Sequence, residues 1–138
     1  MPPAVRTVRI LQFAFVGTVV LYVVIGERFA RVMAPNIAVY YGISVASISV
    51  IGAIFVVRRT LLANAEDLVR MKPQDVVALG RWRAGYIVTY ALCESIGVFG
   101  LVLRFLGFPL SQTWSFYLGA VVLLLLFGPR EPKPQPSA

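Results

Sequence analysis

Apolar positions fall into four long blocks, at about residues 8–26, 37–57, 84–104 and 110–128, parted by charged or turn-forming stretches. Within each block the apolar residues are continuous rather than alternating, so the pattern predicts helices and no strands. At ~1.5 Å of rise per residue, about twenty residues match a hydrocarbon core of roughly 30 Å. Each block is therefore expected to cross a bilayer.

Arg6 and Arg9 precede the first block, which is interrupted by Gln12, Gly17 and Thr18. Basic residues before an apolar run also mark a signal peptide. A cut after Ala34 would leave Pro35 behind it, however, and Glu27, Arg28 and Arg31 crowd a region that should be small and neutral, so an uncleaved helix is expected. Glu27 stands i,i+4 to Arg31, a spacing suited to an ion pair. Pro35 and Asn36 then break the chain, and so short a connection makes the first two helices antiparallel neighbours.

The only long polar connection is the loop 58–83. Its first half, 59–71, is expected to extend helix two, because Leu61, Leu62, Ala65, Leu68 and Val69 keep an apolar face at helical spacing. Lys72 and Pro73 stop it. After Arg104, Gly107 and Pro109 make a turn into the fourth helix, which Trp114 and Tyr117 anchor as an aromatic belt and Pro129 ends. The tail 129–138 has four prolines and is expected to be extended and disordered. The fold class is all-α, a polytopic antiparallel four-helix bundle.

Composition turns four helices into a membrane protein: 59% of the 138 residues are hydrophobic, 14% are charged, and the mean hydropathy is +0.81. The absence of histidine and a single cysteine, Cys93, exclude Cys/His metal sites, Ser/His or Cys/His nucleophilic catalysis and a disulfide within one chain. Glu66, Asp67 and Asp75 lie among six basic residues of the loop without a ligand pattern. A non-catalytic protein with neither metal nor cofactor is expected.

The net charge of +7 would suggest nucleic acid in a soluble domain, but here the basic residues flank apolar blocks, so their role is topological. Arg6, Arg9, Arg58, Arg59, Arg70, Lys72, Arg81, Arg83, Arg130 and Lys133 fall on one face, and only Arg28, Arg31 and Arg104 on the other. The positive-inside rule then puts both termini and the central loop in the cytoplasm of a cell inner membrane. The expected partners are the lipid bilayer and other membrane subunits or further copies of the chain, with no nucleic acid.

The candidate chemistry is Glu94, a lone carboxylate at the middle of the third block. An acidic residue at a helix centre costs roughly 2.5–3.5 kcal/mol to insert, and such groups face protein or water and serve proton or cation pathways. No basic side chain lies at that depth; Arg104, about 15 Å further along the axis, should snorkel to the outer surface. Thr18, Ser47, Ser49 and Tyr90 are the hydroxyls placed to complete an ion-binding site with Glu94. The alternative is that Glu94 hydrogen-bonds one of them and acts as helix-packing glue in an accessory subunit, whose basic loop and proline-rich tail contact a larger complex. Small residues mark the packing faces: Ala38, Gly42, Ala46, Ser49 and Ala53 on helix two, Gly97 and Gly100 on helix three.

The run Glu94-Ser95-Ile96-Gly97-Val98-Phe99-Gly100-Leu101-Val102 resembles the ion-binding helix of the rotor-ring proteolipids of rotary ATPases, the subunit c family. There an acidic residue is followed by small or apolar residues, an aromatic and Gly-Leu-Val. Arg83 matches a basic residue at the start of that helix, and the resemblance covers residues 37–105. It implies a proton- or cation-binding role for Glu94, packing of Glu94 against the small-residue face of helix two, and assembly into an oligomer. The chain departs from the family where Ile48 ends the Gly42, Ser44, Ala46 alternation, where Met71-Lys72-Pro73 replaces an Arg-Gln-Pro loop, in Arg104, and in placing its long loop after helix two rather than after helices one and three.

Overall fold

The computed structural model describes residues 3–29, 36–72 and 74–129. The tail expected to be disordered, the candidate cleavage site and Arg31 lie outside the described residues. Five α-helices follow in order: α1 (Pro3–Phe29), α2 (Ile37–Val57), α3 (Ala63–Met71), α4 (Val76–Phe105) and α5 (Leu110–Leu126). A π-helical turn, Arg58–Leu62, joins α2 to α3, so that Ile37–Met71 is one continuous rod. These make four antiparallel rods in one packed bundle. The rods Val5–Phe29, Ile37–Met71 and Val76–Phe105 are long and apolar enough to cross a membrane, α5 is a shorter apolar helix, and the chain is a multi-pass membrane protein.

The expected extension of helix two is present, but the 58–83 loop is not. Residues 58–71 are helical, α4 starts at Val76 rather than near residue 84, and the connection shrinks to the few residues around Lys72–Asp75. The Asp75 carboxylate accepts from the Val77 amide at 3.0 Å, capping α4, as Asn36 caps α2 through the Ala38 amide. Charges at Arg81 and Arg83 obscure this first part of α4 in the sequence, yet Ala78 and Trp82 beside them are buried. At 30 residues α4 is about 45 Å long, well beyond a hydrocarbon core.

At its other end α4 closes in a Schellman motif. The Phe108 amide reaches the Leu103 carbonyl at 3.1 Å and the Gly107 amide reaches Arg104 at 3.2 Å. Gly107 takes φ 98°, a conformation that costs a residue with a side chain but not glycine. The apolar partners of the motif, Leu103 and Phe108, are both buried.

Helix α4 is the centre of the bundle, packed by α1, α2, α3 and α5. It supplies the three largest enclosed side chains, Trp82, Tyr86 and Tyr90, and Leu103 besides. Phe15 meets Tyr90 and Val19 meets Gly97, so α1 runs parallel to α4. Tyr40 lies against Phe116 and Phe55 against Phe127, so α2 and α5 run together in the opposite sense. The expectation that the first two helices are neighbours is corrected: among the described residues α1 approaches α4 and α5 but not α2. A short connection constrains only the two helix ends it joins. The rest of α1 follows α4 at Gly97, where a Cβ would stand 3.3 Å from Val19, while Gly100 admits α5, with a Cβ there only 2.9 Å from the Phe116 Cβ.

Candidate functional site

Glu94 lies in α4, about two turns past Tyr86 and three past Trp82, and about 15 Å before Arg104. Its carboxylate is partly exposed at the edge of the α1–α4 seam and accepts a hydrogen bond from the Tyr22 hydroxyl at 2.5 Å. Because α1 runs parallel to α4, Tyr22 comes to the level of Glu94 through the length of its own side chain. No other hydrogen bond reaches Glu94 among the described residues.

The four hydroxyls expected around Glu94 are engaged elsewhere. Thr18 donates to the Ala14 carbonyl, Ser47 to Ile43 and Ser49 to Val45, each bonding back one turn along its own helix. Tyr90, buried on α4, donates to the Phe127 carbonyl at 3.0 Å. The partner that sequence reasoning missed is Tyr22. Its one signal was a polar tip on the first helix, one turn beyond Thr18.

The small-residue stripe of α2 does not meet Glu94 either. Ala38, Gly42 and Ser49 are exposed, Ala46 and Ala53 partly so, and nothing comes within 4 Å of a Cβ built on Gly42. The inward side of α2 is Tyr40, Ile43, Ser47, Val50, Ile51 and Ile54, roughly half a turn away. The correction has a physical cause: α2 is apolar on every side, so only fit against α4 selects its buried face, and β-branched and aromatic residues fill that space.

Polar groups bracket Glu94 at both ends of the bundle. Towards the α4–α5 turn, Arg104 pairs with Glu27 at 3.1 Å and donates to the Phe108 carbonyl at 3.0 Å. It therefore bridges α1 and the turn instead of snorkelling free, and gives Glu27 a partner on α4. Towards the other end, the Arg58 guanidinium stands 4.2 Å from the centre of the Phe127 ring, an arginine–aromatic stack at the start of the π turn. Trp82, Tyr86 and Tyr90 form a ladder of rings beside it.

Among the described residues no group of three or more Asp, Glu, Cys or His comes together, and Cys93 is buried and unpaired. The chemistry this arrangement supports is hydrogen-bond exchange at one carboxylate. No protein-family model, curated protein or solved structure matches the chain.

Proposed function

We propose that this small multi-pass membrane protein is non-catalytic and that Glu94 holds a proton or a small cation, with the Tyr22 hydroxyl as its gatekeeping partner. The observation that carries the reading is the single short bond from Tyr22 to a carboxylate that is only partly enclosed. One oxygen is steadied by the neighbouring helix, and the group still reaches the bundle surface, where an ion or another subunit can approach. Carboxylates at mid-depth in apolar helices serve this purpose in membrane relays. The proteolipid-like context of residues 94–102 is consistent with it, although the partner helix is α1 and not α2.

The charge distribution supports an inner-membrane orientation with the Arg9, Arg58 and Arg83 end in the cytoplasm. The exposed small-residue face of α2 supports assembly with further copies or other membrane subunits.

Glu94→Gln tests the reading. In reconstituted vesicles it is expected to abolish carbodiimide labelling and proton or cation binding while the helical circular dichroism is kept. A second reading, an accessory subunit in which Glu94 only ties α1 to α4, is favoured by the directness of that bond. Under it the Gln variant, whose amide oxygen still accepts from Tyr22, leaves function unchanged, and that result would remove the ion-holding role.

A further inference from the structure

A groove of about 330 Å³ opens between the rod that continues from α2 into α3 and the first turns of α4. That volume is at the lower end of the ~300–1,000 Å³ of small-molecule sites. Leu61, Ala65, Leu68, Ala84 and Val88 make it apolar along its length, while Asn64 and Arg81 supply its polar atoms. Beside it Gly85 brings α4 close to the π turn: a Cβ there would stand 3.0 Å from the Leu62 Cδ1. The π turn thus sets the spacing of the two rods, and Leu61 and Leu68 remain more than a third exposed.

Two features define what fills it. Seven residues, about 10 Å of axis, separate Val88 from Arg81, so the groove runs from the membrane level outwards along the part of α4 that exceeds a bilayer core. Its outer end is basic. Arg81 forms no ion pair among the described residues, and Arg70, which pairs with Asp67 at 3.7 Å, is the one basic residue of this end with a carboxylate within reach. Arg81 is exposed on the outer face of α4, free to meet a group that enters the groove. An apolar slot leading from the acyl region to an arginine without a carboxylate partner and an asparagine amide matches an amphiphile with one hydrocarbon chain and an anionic head.

We propose that this groove binds the acyl chain of an anionic phospholipid, whose phosphate is held by Arg81 with Asn64 beside it. The site is separate from Glu94, and it stands or falls independently of the ion-holding reading. Juxtamembrane basic pockets between helices bind phosphorylated headgroups by the same electrostatics.

The test uses the full-length chain in uncharged detergent micelles, with fluorescent phosphatidic acid, fluorescent phosphatidylcholine and excess inorganic phosphate as separate probes. Phosphatidic acid is expected to bind about fivefold more tightly than phosphatidylcholine, the factor of one arginine–phosphate attraction near a membrane. Arg81→Gln, a change at an exposed residue, should erase that preference. Ala84→Phe, which fills the groove from an exposed position, should weaken both lipids. Inorganic phosphate should not displace the lipid. The proposal is overturned if Arg81→Gln keeps the preference, if Ala84→Phe binds like the parent while retaining its helical signal, or if inorganic phosphate competes as well as lipid does.

Discussion

Gln12 and Leu124 stand 112 positions apart, and the buried amide of Gln12 donates a 2.8 Å hydrogen bond to the Leu124 carbonyl. Leu124 is in the last turn of α5, where helix carbonyls have no partner within the helix. Tyr90 serves the Phe127 carbonyl at the same end. Two side chains from two other helices thus satisfy a helix terminus set in apolar surroundings, where an unpaired carbonyl is costly.

Removing either donor should therefore loosen α5. Tyr90→Phe and Gln12→Leu are each expected to cost about 1–3 kcal/mol, the desolvation penalty of the carbonyl left behind. Thermal unfolding in detergent measures it, and a variant as stable as the parent would show that the carbonyl is satisfied another way.

Tyr22 and Glu94 should be energetically coupled. A double-mutant cycle of Tyr22→Phe and Glu94→Ala, each of which removes the bond, is expected to give about 1–2 kcal/mol of interaction between α1 and α4. Additive losses in the double variant would mean that the 2.5 Å contact contributes nothing to holding the helices together.

Glycines of α4 and α2 should respond in opposite ways. Gly100→Ala puts a methyl group 2.9 Å from the Phe116 Cβ, an atom close to the backbone that yields only if α5 moves, so a loss of about 1–3 kcal/mol is expected. Gly42→Ala meets nothing within 4 Å and is expected to be neutral, within about 0.5 kcal/mol, or to gain slightly from helix propensity. Equal effects at both sites in an unfolding series would contradict the packing described.

The ion pair at the α4–α5 turn should matter unequally for its two partners. Glu27 is 43% exposed in its side chain, so Glu27→Gln is expected to cost under about 1 kcal/mol and to lose its effect in high salt. Arg104→Ala should cost more, since it also frees the Phe108 carbonyl of the turn. Melting temperatures at low and high ionic strength separate the two contributions.

The four rods were legible because continuous apolar runs have few alternatives in a chain this hydrophobic, and the rod through Met71 was legible from Leu61, Leu62, Ala65, Leu68 and Val69. The start of α4 was not, because Arg81 and Arg83 read as loop although Trp82 between them is enclosed. Neighbour relations were hidden for a different reason. In water, polar residues mark the outward face of a helix; here Ile48 and Val45 outside and Ile43 and Ile54 inside belong to the same chemical class. Glu94 stood out in the sequence by its charge, but its partner was chosen by the register of two parallel helices, which no local pattern records.

That α1 and α2 both pack on α4, and among the described residues do not approach one another, bears on how the chain is made. The two segments leave the ribosome first, yet α4, the helix against which both come to rest, follows them. Tertiary structure has to wait for the arrival of α4, and a chain cut short before Val76 would leave two helices adrift in the bilayer.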